Sequence, residues 1–120
     1  MMLKRYLIEL GTGIDQHGQD PTAAAKRAVK DAISRSYLTG IREILGIQDF
    51  NRMVVKVKVA VPYADKVKAE EVLAPIPFGN KSLEVVEGGL VAEGMTIPEL
   101  GDAGPEIIMA NAAVTVWVEV

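Results

Sequence analysis

The sequence predicts an α+β domain, a two-layer sandwich of order β-α-β-α-β-β with about four strands and two helices on one face of the sheet. Three observations carry this: strict alternation from Met53 to Val61, a second alternating run from Ile107 to Val120, and a helical-period, alanine-rich segment opened by Asp20-Pro21. At 120 residues the chain is read as one domain spanning 1–120, long enough to bury one core but not two.

Leu3 to Leu10 alternates, placing Tyr6, Ile8 and Leu10 on one side and Arg5, Leu7 and Glu9 on the other, as a half-buried strand requires. Gly11 to Gln19 holds three glycines and the only histidine. It fits neither period and reads as a loop. Asp20 is a good helix cap and Pro21 a good first helical residue, because proline lacks an amide hydrogen that would go unpaired there. The helix that follows presents Ala25, Ala28, Val29, Ala32, Ile33 and Ser36 on one side and Lys26, Arg27, Lys30, Asp31 and Arg35 on the other. Gly40 is expected to end or kink it, with Ile41, Ile44 and Leu45 forming a further turn before Gly46.

Val55, Val57, Val59 and Val61 form the buried face of the next strand, closed by Pro62. Asp65 is expected to cap a short helix reaching Leu73. Ser82 to Glu87 alternates again, Gly88-Gly89 interrupts as a bulge or close backbone approach would, and Leu90 to Ala92 continues the strand. Gly94 to Pro105 is a loop, after which Ala112, Val114, Val116, Val118 and Val120 alternate with Ala113, Thr115, Trp117 and Glu119. The first two strands, flanking a helix, are expected to be parallel neighbours. The uncovered face would carry Lys56, Lys58, Thr115, Trp117 and Glu119, a semi-apolar surface that a second copy of the chain is expected to cover.

Thirteen Lys and Arg against 16 Asp and Glu give a net charge of −3, which offers no field to attract nucleic acid or an anionic membrane. The absence of cysteine rules out disulfides and thiolate chemistry and fits a reducing compartment. The apolar run near the N-terminus is too short for a signal peptide, no run approaches a membrane span, and a cytoplasmic location is expected.

Chemistry concentrates at Gly11 to Asp20, between a strand and a helix, where α/β proteins commonly place ligands. Gly11, Gly13, Gly18, Gln19 and Asp20 are the candidate ligand-binding residues there, and Gly88 and Gly89 join them as a point of close approach. No nucleotide cofactor is expected: Gly18 follows Gly13 by five positions rather than three, and Asp15 and Asp20 would repel a phosphate. Asp15 and His17, with Asp20, offer donors for a divalent metal, although one histidine and no cysteine argue against a closed zinc site. Asp15 and His17 are also the candidate catalytic pair. Two apart in an extended segment they point the same way, so the carboxylate can orient the imidazole as a general acid or base. The alternative is that both only bond loop amides while Asp20 caps the helix. Ser34, Ser36 and Ser82 lack a nucleophile's setting.

The run GTGIDQHG, matched at Gly11, Gly13, Asp15, His17 and Gly18, resembles the N-terminal motif GxGxDxHG of a small conserved-hypothetical family of bacteria with plant members. The resemblance extends through KVKVAVP at 56–62, PFG at 77–79 and Gly88-Gly89-Leu90. It implies that the loop matters without naming a reaction. The element order is also similar, at the level of fold, to reactive-enamine deaminase and chorismate-mutase-like domains, which form trimers with ligand sites between subunits. No residue here matches the arginine with which the deaminases hold their substrate's carboxylate.

The leading expectation is therefore a small-molecule-binding or enzymatic domain, hydrolysing or deaminating a small amide-like metabolite at a site closed by a neighbouring subunit. The alternatives are a non-catalytic oligomeric module and divalent-metal-dependent chemistry through Asp15 and His17.

Overall fold

The computed structural model describes residues 2–120 and bears out the α+β class, as a five-stranded mixed sheet with helices on one face. The strands are β1 (Leu3–Asp15), β2 (Val54–Val61), β3 (Asn80–Glu87), β4 (Leu90–Glu93) and β5 (Glu106–Glu119); the α-helices are α1 (Pro21–Ile33), α2 (Thr39–Glu43) and α3 (Ala69–Leu73).

The sheet order is β1-β5-β2-β3, with β4 paired to the first residues of β5. β1 and β2 are therefore not neighbours, contrary to expectation: each pairs antiparallel with β5, which lies between them. The parallel contact is β2 with β3. β4 does not extend β3 beside β2 but crosses to the flank of β5 beyond the end of β2. The crossover explains Gly88-Gly89, since a Cβ on Gly88 would press on Ala60 and one on Gly89, at φ +69°, would strike the Met109 carbonyl.

The buried stripes are the alternating ones: Val55, Val57, Val59 and Val61 from β2, and Ile108, Ala110, Ala112 and Val114 from β5, packed on Ala24, Ala25, Ala28, Val29 and Ala32 of α1 and Val72 of α3. A second cluster joins Ile41 of α2 to Met53, Val116 and Val118. In β1 the sequence reading needs correction. Tyr6 is a bulge residue, so beyond it Glu9, Gly11, Gly13 and Asp15 face the helices, while Ile8, Leu10 and Ile14 lie exposed on the open face.

Gly11 to Asp15, expected to be loop, thus belong to the strand. The reason is packing: a Cβ on Gly11 or Gly13 would fall far inside contact distance of the α1 backbone at Ala24, Ala28 and Ala32. Helix and strand meet main chain to main chain. The helix also covers the outer edge of β1, with Asp31 Oδ2 accepting from Thr12 N at 2.9 Å and Arg27 donating to the Ile14 carbonyl at 2.7 Å, which occupies groups an edge strand otherwise leaves unpaired.

Asp20 caps α1 as expected, accepting from Thr22 N and Ala23 N. The helix stops at Ile33, well before Gly40, which sits inside α2 against the Tyr6 hydroxyl. Asp65 lies in a separate 3-10 turn (Ala64–Lys66) and does not cap α3, which starts after Lys68.

Gly13→Ala should lower stability by about 3 kcal/mol or more, because its methyl group meets rigid backbone. Urea denaturation should show a reduced midpoint with an unchanged m-value; a loss below about 0.5 kcal/mol would mean that α1 can lift off β1.

Candidate acid–base site

The end of β1 and the beginning of β5 lie side by side, with Asp15 opposite Ile108. The turn after β1 consequently meets the loop before β5, closed at its base by Gly94 N donating to the Pro105 carbonyl. From that second loop comes Asp102, a residue sequence reasoning missed.

His17 Nδ1 lies 2.9 Å from Asp102 Oδ2, and the Asp102 side chain is only 1% exposed. Asp102 also accepts from Ile97 N at 2.9 Å, Gly18 N at 2.9 Å and Gln19 Nε2 at 3.1 Å. The His17 hydrogen bond foremost, then the Ile97, Gly18 and Gln19 donors, hold this carboxyl far below its ordinary value of 3.8, against the opposing effect of burial. A carboxylate can only accept, so Nδ1 carries the proton and the neutral ring presents a lone pair at Nε2. Nε2 has no protein partner among the described residues, and the His17 side chain is 36% exposed. Beside it opens a shallow groove of about 430 Å³ lined by Ile14, Asp15, Gln16, His17 and Arg27.

Asp15 and His17 are near each other, but Asp15 does not orient the imidazole. Its side chain, 6% exposed, accepts from Arg27 at 2.9 Å and from Asp20 N at 2.9 Å. The partner expected in Asp15 is supplied by Asp102, 85 residues away. Arg27, assigned by its period to the solvated side of the helix, reaches back over the strand end and is the one cation lining the groove.

The remaining candidates separate by role. Gly11 and Gly13 serve helix packing and leave no room for a ligand. Gly18, at φ +96°, makes the turn and donates to Asp102. Gln19, at φ +50°, spends its amide on Asp102, the Glu106 carbonyl and Ala103 N. Asp20 is a cap. Gly88 and Gly89 lie on the far side of β5 from β1 and are not part of this cluster. Among the described residues no three His, Cys, Asp or Glu side chains converge as a metal cluster, so Asp15 and His17 gain no third ligand. The one signal that could have found Asp102 is an acid set between two glycines, Gly101 and Gly104, in the loop before β5.

A five-stranded mixed sheet with helices on one face, and a histidine held by a buried carboxylate where two loops meet, define a small α+β domain with a hydrogen-bonded His–Asp pair at one end of its sheet. The chain belongs to the family described as conserved hypothetical protein (Lin0512_fam), whose pattern it matches over residues 5–116. It is similar to a crystal structure described as an FtsZ-like protein of unknown function from Nostoc punctiforme, with 52% identity and a TM-score of 0.90, over 100% of this chain and 99% of that one. No curated protein matches it.

Because the Asp102 carboxyl is held low in the folded chain, its contribution to stability is complete above the ordinary carboxylate range and is lost as pH falls through and below about 4. Unfolding midpoints measured from pH 6 down to pH 2 should therefore fall less steeply in Asp102→Asn than in the wild type; parallel curves would remove Asp102 as the group responsible.

Proposed function

We propose that this chain is a small-molecule-binding domain whose reactive group is the Nε2 atom of His17, acting as general acid or base at the groove beside Arg27. The observation that carries the reading is the 2.9 Å bond between His17 and Asp102. A carboxylate buried at that position fixes the ring's tautomer and orientation and stabilises the imidazolium that forms when Nε2 takes a proton. Arg27 supplies a positive charge for an anionic group on the ligand. Hydrolysis or deamination of a small amide-like metabolite is the reaction class this arrangement suits, with His17 moving the proton and Arg27 holding the substrate.

A groove this open needs a wall, and we propose that a second copy of the chain supplies it. The accessible surface is 7158 Å², whereas a folded monomer of 12.9 kDa is expected to expose roughly 6,300 Å². The excess, about 850 Å², is what one partner contributes to an interface of standard size. The radius of gyration, 16.2 Å, exceeds the roughly 14 Å of a compact domain of this length. Ile8, Leu10, Ile14 and Leu90 are exposed on the open face, which also carries Lys56, Lys58, Glu84 and Glu119, both signs of charge for a two-fold partner to meet. Ile14 belongs to that face and to the groove alike. Trp117 is shielded within the chain, between Arg5 at 4.7 Å and Lys56 at 5.1 Å.

The rival reading, a non-catalytic oligomeric module, draws on the same network: Asp102 accepts from four donors on two loops, as a structural clasp would. Thermal unfolding of the wild type and His17→Ala against a metabolite library separates the two. On the acid–base reading a compound raises the wild-type midpoint by several degrees and leaves an equally stable His17→Ala unmoved; if His17→Ala loses stability and nothing shifts the wild type, the clasp stands instead. For the assembly, light scattering should give a multiple of 12.9 kDa for the wild type and a monomer for Leu10→Lys, and a monomeric wild type would discard the shared wall.

A further inference from the structure

A second opportunity lies at the other end of α1. Where that helix stops at Ile33, the two hydrophobic clusters do not close on each other. Between them is a cavity of about 380 Å³, with Val55 and Ile76 from one cluster and Phe50 and Phe78 from the other among its walls. Its floor holds Glu9, the only charged side chain in the lining.

Glu9 is 9% exposed, its Oε2 is buried without a hydrogen-bond partner, and among the described residues it makes no ion pair. Burying a carboxylate unpaired is costly, and native proteins avoid it where the position serves no purpose. The other two buried carboxylates show the contrast, since Asp15 is met by Arg27 and Asp20 N and Asp102 by four donors. An apolar cavity of several hundred Å³ with one convergent polar group is the form small-molecule sites take. A ligand filling it would need an apolar body and one strong donor, and an acidic group would be repelled.

We propose that this cavity binds a small primary amine, its apolar body against the wall formed by Phe50 and Phe78 and its ammonium on Glu9. The ammonium supplies the charged donor that Glu9 lacks, and the two rings, packed on each other with centroids 5.0 Å apart, form one aromatic wall that suits an aromatic or branched aliphatic body. The site is separate from the His17 groove: β1 presents Glu9 near its middle and Asp15 at its end.

The test is calorimetry on the full chain with 2-phenylethylamine, isoamylamine and cyclohexylmethylamine, alongside the neutral 2-phenylethanol and the anionic 3-phenylpropionate. At least one amine should bind, at least about tenfold more tightly than 2-phenylethanol, and lose about tenfold or more in Glu9→Gln, as a charge-assisted contact requires. Backbone amide shifts should move at Glu9, Val55, Ile76 and Phe78, and His17→Ala should bind as the wild type does. Silence from all three amines, equal binding of the alcohol, undiminished affinity in Glu9→Gln, or shifts clustered elsewhere would each overturn the proposal. If Glu9→Gln does not fold, the comparison of amine with alcohol on the wild type decides alone.

Discussion

Main-chain contact between α1 and β1 is the constraint on which the other features depend. With glycine at 11 and 13 and alanine at 24, 28 and 32, nothing larger than a methyl group separates the helix from the strand. This fixes the start of α1 directly beside the end of β1, leaving only Gln16 to Asp20 to make the reversal. A turn so short needs two residues at positive φ, Gly18 and Gln19, and each of its ends needs an anchor. Asp15 and Asp20 provide these, one joined to the other through Asp20 N. His17 is thereby carried to the tip, where Asp102 meets it.

The same contact decides what happens at the far end. A helix held this close to one strand cannot also fill the space above Val55 and Met53, and it stops at Ile33. Polar groups are placed accordingly. Near the start of α1 backbone amides, Arg27, His17 and Gln19 are close enough to satisfy two buried acids; near its end only apolar side chains and the rim residues Ser36 and Tyr37 surround the third. One rigid contact thus leaves a saturated polar network at one end of the sheet and a lone carboxylate in an apolar pocket at the other.

Local pattern was legible in the sequence and long-range pairing was not. The valine alternation of β2 and β5 and the Asp20-Pro21 cap each express a period or a terminus, and each appears as read. Strand order depends on which edges meet after collapse, and the parallel pairing inferred for β1 and β2 gave way to two antiparallel pairings with β5. Glycines at 11 and 13 look alike whether they loosen a loop or admit a helix. Only the alanines at 24, 28 and 32, which are a helical period apart and face them, tell the two cases apart. Asp102 is the same problem at greater distance, because its partner lies at the opposite end of the chain. Tyr6 shows how one inserted residue inverts a correct alternation, sending Ile8 and Leu10 outward.

The central place of β5 has a temporal side. It lies far from β1 in the sequence, yet among the described residues it is the strand partner of β1 along its length, and Met2 and Val120 exchange backbone hydrogen bonds. The ribosome must release β5 before β1 can be paired. Contacts spanning so much of the chain raise the entropy of closing the loop and slow folding. Until then the edge of β1 that β5 will occupy is open to other chains, and the interval between synthesis and pairing is when this protein is most vulnerable to aggregation.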